Sequence, residues 1–450
     1  MDIVGLIPQF GGFALTILAF IVALSVIVAV HEYGHYIVGR WTGIHADVFS
    51  LGFGPILFSR IDKRGTRWQM AALPFGGFVK FAGDANAASG KDSEAMEEVA
   101  ADPVALRRTM HGAPLWARTL TVAAGPAFNF IMSIIVFAGM MVFQGQPRDP
   151  LTVGEIAALP DGAYELMAGD EIVAIAGMPA PRVGDGEDWS TFTDALPTTP
   201  TLSYTVERAG GESTLTGPFL FPPHVQQVAP RSAADDIDIK PGDVITAIDG
   251  APIFAFDQLR DAVEGSGGRV LLLDIWRDGT MLQFALAPKR VDEPLDEGGF
   301  QTQWRIGIVG GMAFSPATEA MGIGDAIMGG VVQTWVVIEN SFSGLYHMIT
   351  GAISTCNMSG VIGIAETSGS MASQGADSFI WFIAVLSVAV GMLNLFPIPA
   401  LDGGHLVFYA YEAVSGKPPS DRALQVMMAT GIALILSLMV FAIGNDIFCP

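Results

Sequence analysis

Residues 31–35 read His31-Glu32-Tyr33-Gly34-His35. Positions four apart share one face of an α-helix, so the imidazoles of His31 and His35 can bind one metal ion while Glu32 projects beside them. Zinc in hydrolases commonly takes three protein donors plus a water whose acidity it raises, and Glu32 is placed to take that water's proton. The motif also arises by chance, and paired histidines are often surface or satisfied core residues. Here it continues directly from Phe13 to Val30, a run without charge. Ionisable groups continuous with such a run are costly and read as functional by default.

A third donor must come from elsewhere in the chain. Asp402 is the best candidate, in Asn394-Leu395-Phe396-Pro397-Ile398-Pro399-Ala400-Leu401-Asp402-Gly403-Gly404-His405. The two prolines remove backbone donors and break a helix, and the glycines permit close approach. Without the histidine pair, Asp402 would read as a helix cap or a turn residue. His405 could ligate as well, although local packing is its commoner role.

The elements that must position these groups follow from hydropathy. Of 450 residues, 51% are hydrophobic and 15% charged, against about 25% charged in an average soluble protein. A bilayer core takes about 20 apolar helical residues. Four runs qualify: Phe13 to Val30, Thr119 to Pro147, Phe379 to Ala400 and Ala423 to Gly444. Residues 1–12 carry no Lys or Arg and no small-residue cleavage site follows Val30, so the first run reads as a retained membrane helix rather than a signal peptide. Ten basic residues from Arg40 to Arg118 lie between the first two runs, and Lys417 and Arg422 between the last two. The positive-inside rule puts both loops in the cytoplasm, both termini outside and residues 148–378 on the outer side. With 23 basic against 45 acidic residues, the net charge is −22, which gives nucleic-acid binding no electrostatic support. Two cysteines, Cys356 and Cys449, make no disulfide framework and leave the redox compartment open.

Within the outer block, Gly169-Asp170-Glu171-Ile172-Val173-Ala174-Ile175-Ala176-Gly177 returns 73 positions later as Gly242-Asp243-Val244-Ile245-Thr246-Ala247-Ile248-Asp249-Gly250, identical at six of nine. Each copy predicts a Gly-Asp turn, an alternating strand and then a helix, over Asp188 to Leu196 and Phe256 to Val263. Later strands are expected at Thr201 to Arg208 and Arg269 to Arg277. The pattern resembles PDZ domains, which capture extended peptides at a sheet edge; two β-rich spacers without a ligand would read the same way. Residues 84–104 read as a solvated loop. Residues 317–350 are apolar and could form a fifth span, but the interruptions at Glu319, Asp325, Glu339 and His347 better suit a helix along the membrane surface.

Together, the His-Glu-Tyr-Gly-His motif, Leu401-Asp402-Gly403 on a later span and the tandem insert resemble the bacterial site-2 proteases, the M50 intramembrane zinc metalloproteases. The resemblance covers nearly the whole chain. Leu73 to Lys80 is similar to that family's re-entrant β-hairpin, Gly125-Pro126-Ala127-Phe128-Asn129 to its second-span motif, and Ser359 to Ala365 to the segment before its third span, with Val361 where the family usually has proline. It implies a polytopic α-helical membrane protein of four transmembrane helices, with a membrane-associated β-hairpin and two β-rich PDZ-like domains between helices 2 and 3. The expected divisions are 1–147, 148–226, 227–311, 312–378 and 379–450.

The resemblance further implies an inner-membrane protease of regulated intramembrane proteolysis, cutting single-span substrates such as anti-sigma factors or remnant signal peptides. Zn2+ would be held by His31, His35 and Asp402, with Glu32 as the base. Substrate contacts are expected at Asn394, Pro397, Gly76, Gly77 and Phe78; Asn394 could equally cap carbonyls of a broken helix. The alternatives are a membrane-tethered PDZ scaffold with a structural metal, and a transporter, for which no inverted repeat is evident.

Overall fold

In the computed structural model, residues 6–85, 90, 92–160, 164–184, 186–295 and 299–449 are described. Helix α1 (Leu6–Trp41) carries the charge-free run and the histidine motif without a break. A helix bonds its own backbone groups internally, which is what lipid requires. Strands β1 (Ala46–Ile61) and β2 (Arg67–Phe81) follow. Residues 56–61 lie opposite 67–71, and 46–51 opposite 77–81, while 48–51 also sit beside 67–70. The ribbon therefore folds back on itself and leaves 77–81 as an edge run. At Gly76, φ is +118° and a Cβ would meet the Phe53 ring at 2.5 Å, so only glycine lets the ribbon turn there. Tyr36, Phe49 and Trp68 bind the foot of the ribbon to α1, with ring centroids 4.3–5.7 Å apart. Towards its tip, Ile56, Leu57 and Phe58 are exposed.

The stretch expected as a solvated loop instead carries two short helices, α2 (Ser93–Val99) and α3 (Pro103–Arg107). Asp92 and Asp102 explain the difference: each accepts a hydrogen bond from a first-turn N–H, that of Ala95 and Val104 respectively, and so starts a helix. Residues 86–89 and 91 of that stretch lie outside the described residues. Helix α4 (Leu115–Gln144) contains Pro126.

The chain then forms short strands β3 (Gln146–Pro147) and β4 (Val153–Ile156), followed by β5 (Glu171–Ile175), β6 (Met178–Pro179), helix α5 (Gly186–Asp194), β7 (Thr201–Arg208), β8 (Gly211–Pro218) and β9 (Val225–Val228). The second copy repeats the order with β10 (Val244–Ile248), β11 (Ala251–Pro252), α6 (Phe256–Glu264), β12 (Leu271–Arg277) and β13 (Thr280–Leu286). Both sheets have the same strand order, β6-β5-β7-β8 and β11-β10-β12-β13. Even the ion pair repeats: Arg208 grips Asp170, and Arg277 grips Asp243, each at 2.6 and 2.7 Å. A hairpin of β14 (Lys289–Pro294) and β15 (Phe300–Arg305) precedes β16 (Ile308–Gly310), β17 (Phe314–Pro316) and β18 (Thr318–Glu319). These last three pair back with β9, β4 and β3. Residues 314–316, which fall in the expected 312–378 division, pair with β4 of the first module, and Ala313 and Phe314 are buried in its core.

Helix α7 (Ile323–Thr350) is continuous, and Gly330 on it abuts the Ile134 carbonyl of α4. Helices α8 (Val361–Ser373), α9 (Ala376–Asn394), α10 (Asp402–Ser415) and α11 (Asp421–Phe448) complete the chain. Among the described residues, α1, α4, α9 and α11 are long and apolar enough to cross a membrane. The third ends at Asn394, before the expected Ala400, because Pro397 and Pro399 cannot continue it. Val361 occupies the first position of α8, where proline is also favoured, so its substitution leaves the helix start in place. Cys356 and Cys449 form a disulfide, and Asp446 accepts from the N–H groups of Gly360 and Gly363, so the end of α11 is fastened to the start of α8.

The chain divides into two compact units. One comprises residues up to Gly139 with Ile327–Tyr346 and Thr355–Cys449; the other comprises Met140–Ala326 and His347–Ser354. The histidine motif, the hairpin and Asp402 all belong to the first. In that unit Gly34 of α1 lies against the Ala124 carbonyl and Phe128 of α4, and Gly391 of α9 lies against Asn129. Small residues let membrane helices approach closely. The hydroxyls of Ser133 and Ser387 both donate to the Asn129 carbonyl at 3.0 Å, and Ser133 also reaches the Ala384 carbonyl at 2.8 Å.

Candidate metal centre

His31 and His35 stand one turn apart on α1, and both direct Nε2 at Asp402, the first residue of α10. Asp402 Oδ2 lies 3.2 Å from His31 Nε2 and 3.4 Å from His35 Nε2, and the two nitrogens are 3.2 Å apart. Donors about 2.0–2.1 Å from a tetrahedral ion would stand about 3.3–3.4 Å apart, so this triangle is one face of a zinc-sized shell. The side chains are 11%, 11% and 17% exposed, and Asp402 Oδ2 is a buried acceptor without a hydrogen-bond donor. Two imidazoles and a carboxylate suit zinc well. Both the spacing and the orphaned oxygen fit such an ion.

Chemistry of this kind belongs to hydrolases, and comparison with known proteins agrees. The family model described as "Peptidase family M50" matches residues 19–438. This chain belongs to peptidase family M50. It is 35% identical over 435 residues to an Agrobacterium fabrum protein with a provisional zinc-metalloprotease name, covering 96% of this chain and 95% of that protein. It is 32% identical over 474 residues to the regulator of sigma-E protease RseP of Escherichia coli, covering 95% and 97%. Metalloprotease MmpA of Caulobacter vibrioides is 30% identical over 458 residues, covering 97% and 96%. The chain is thus an M50 metalloprotease of the site-2 type, with four membrane-length apolar helices.

In this M50 chain the triad opens onto a cavity of about 230 Å³, whose lining includes Glu32, Gly77, Phe78, Asn394 and His405. The Val79 N–H, on the edge run of β2, bonds to the Glu32 carboxylate. Gly77 is what admits the strand: a Cβ there would lie 2.8 Å from the Ser50 carbonyl and 3.2 Å from Glu32 Cγ. Asn394 ends α9 and donates Nδ2 to the Val390 carbonyl, one turn back on the same helix, at 3.0 Å, while also lining the cavity. Pro397 is exposed, and neither it nor Gly76 lines the cavity. His405 lines it without joining the donor triangle, and its ring meets Phe408 edge-on at 5.9 Å. Gly403 and Gly404 fit beneath the carbonyls of Leu395, Phe396 and Ile398, which folds the Pro397–Pro399 loop tightly over the first turn of α10.

The imidazoles are held from behind by α4, which reasoning from sequence did not foresee. His35 Nδ1 is 2.9 Å from the Thr121 carbonyl, and His31 Nδ1 is 3.3 Å from the Asn129 amide. Gly125, one turn from each, lies directly against both rings. The only signal in the sequence is an asparagine and a glycine within a charge-free span. At Arg118, α4 also clasps α10: its guanidinium makes bonds of 2.6 and 3.1 Å to Glu412 and stacks over Tyr409 at 5.1 Å.

Proposed function

We propose that this chain hydrolyses peptide bonds within, or at the edge of, the transmembrane segments of single-span membrane proteins. His31, His35 and Asp402 hold zinc, and Glu32 is the general base. The observation that carries the reading is the near-equilateral donor triangle at the end of a charge-free helix, with a carboxylate beside it. When bound, zinc would raise the acidity of a water in its remaining position and polarise the scissile carbonyl. Glu32 takes a proton from the attacking water as the water oxygen bonds to the carbonyl carbon. It returns that proton to the amide nitrogen as the C–N bond breaks, leaving one new carboxyl and one new amine end.

A helical substrate hides its peptide bonds, so it must be extended before it is cut. The run 77–81 is a sheet edge that could pair with an extended substrate around Gly77 and Phe78, which place it at the cavity; further along, the Val79 N–H is given to Glu32 and the Phe81 N–H to Asp84. Asn394 binds substrate by exchanging its Val390 contact for the substrate backbone. The exposed apolar ribbon around Ile56 to Phe58 sits in the bilayer, and α7 lies along its surface.

The chain resides in the bacterial inner membrane with its basic loops inside. Both termini and the outer block face the periplasm. The Cys356–Cys449 disulfide supports that orientation, because such bonds persist on the oxidising side. The twin modules, read as PDZ-like domains over about 148–226 and 227–311, screen substrates. They admit a single-span protein, such as an anti-sigma factor or a remnant signal peptide, after a first protease has trimmed it. Removal of Asp149 to Val291 should then permit cleavage of untrimmed substrate.

The test is metal analysis of the purified full chain together with cleavage of a model transmembrane substrate. The reading expects one zinc per chain, and cleavage that stops with a chelator and returns with zinc. A zinc-loaded chain that never cuts would leave an anchored recognition protein.

A further inference from the structure

We propose that Asn129 is a positioning residue for the metal centre, its side-chain oxygen accepting the hydrogen of His31 Nδ1 and thereby holding the His31 tautomer that presents Nε2. The inference rests on the reading that His31, His35 and Asp402 hold zinc. A neutral imidazole that offers its lone pair at Nε2 carries its hydrogen at Nδ1. That hydrogen is buried and needs an acceptor. His35 has one in the Thr121 carbonyl, 2.9 Å from Nδ1. At His31 the facing group is the Asn129 amide, whose Nδ2 stands 3.3 Å from Nδ1 while Oδ1 is buried without a partner. With that orientation a donor opposes a donor. A half-turn of the planar amide exchanges nitrogen for oxygen without moving the backbone, and the orphaned oxygen then meets the imidazole hydrogen.

The surroundings make Asn129 a rigid support. The residue is fully buried, and its carbonyl receives the hydroxyls of Ser133 from its own helix and Ser387 from α9. Gly391 leaves no room beside it: a Cβ added there would lie 3.1 Å from Asn129 Cβ. An amide held this firmly fixes the ring plane of His31 as well as its tautomer, as partners behind metal-binding histidines do. Helix α4 thus serves both imidazoles from one face, through a main-chain carbonyl at Thr121 and a side chain at Asn129, two turns apart.

The experiment is a competition titration of zinc against a chelator, on the full chain in detergent, for wild type, Asn129→Leu and Asn129→Asp. Leucine keeps the branched heavy-atom skeleton, with bulkier methyl groups, and removes the acceptor; apparent zinc affinity should fall roughly 10- to 100-fold. Aspartate is isosteric, accepts only, and makes the imidazole a stronger donor to metal; affinity should rise at least about threefold. Affinity unchanged in Asn129→Leu would overturn the inference. So would Asn129→Asp at or below the wild-type value, which would mean that shape or an amide donor matters instead; this arm decides alone if Asn129→Leu does not fold. Wild-type chain that takes up no zinc would overturn the ligand assignment itself, and this inference with it.

Discussion

Gly125 of α4 packs so closely under the His35 imidazole that a methyl group at residue 125 would overlap Nε2, the nitrogen that faces Asp402. The glycine therefore sets where the metal-binding edge of α1 can stand. In Gly125→Ala the imidazole must move off the donor triangle. Apparent zinc affinity should drop by roughly 10- to 100-fold, the scale seen when groups supporting a metal site are lost. The metal-free protein should keep its helical circular dichroism. Zinc titration of the purified variant checks this; wild-type affinity would mean the site tolerates a displaced His35.

Arg118 and Glu412 join α4, which backs the histidines, to α10, which begins with Asp402. Both side chains are mostly buried, at 14% and 17% exposure. Glu412→Ala removes two charge-assisted bonds and strands the guanidinium, a loss of about 2–3 kcal/mol. The thermal midpoint in detergent should fall, and zinc binding should weaken with it because Asp402 loses its brace. A variant that melts like wild type would show the clasp to be incidental.

In the unit formed by Met140–Ala326, Asp170 is gripped by Arg208, and that bond holds its carboxyl below the usual carboxylate range. A depressed carboxyl contributes stability that is complete above its unfolded pKa of about 3.9 and is lost as pH falls through the folded value. Asp170→Asn should therefore lower stability by a constant amount near neutral pH, and the gap to wild type should close below about pH 4. Thermal melts of both proteins over pH 3–8 measure it. A gap that persists in acid would assign the loss to packing.

The disulfide between Cys356 and Cys449 offers a test of the proposed orientation. In intact cells stripped of their outer membrane, an impermeant maleimide should label neither cysteine before reduction and both after it, without access to the cytoplasm. Labelling that needs lysis of the inner membrane would reverse the assigned topology.

Much of this architecture is legible in the chain because it is periodic or local. His31 and His35 are one helical turn apart, the four apolar runs are long, and the Gly-Asp turns at residues 169 and 242 repeat with their strands. Asp402 is legible because Pro397, Pro399 and the two glycines mark a broken helix. Contacts made through the main chain or between distant segments leave no such trace. The Thr121 carbonyl is invisible in a sequence, since any residue at position 121 has one. The pairing of Cys356 with Cys449 spans 93 residues, and the return of residues 314–316 to β4 crosses the whole second module. The acidic composition around Asp92 and Asp102 reads as a solvated loop, and the side-chain bonds by which the two start helices emerge only in the fold.

Glu32 lies beside the donor triangle in the same cavity without belonging to it, so metal binding and catalysis separate at this residue. The decisive measurement is bound zinc and cleavage of a transmembrane substrate, taken on the same preparation of Glu32→Gln. The account predicts one zinc per chain, as in wild type, with the cleavage rate reduced by at least about 10²–10⁴, the usual worth of a general base. Cleavage at the wild-type rate, with zinc still bound, would contradict it.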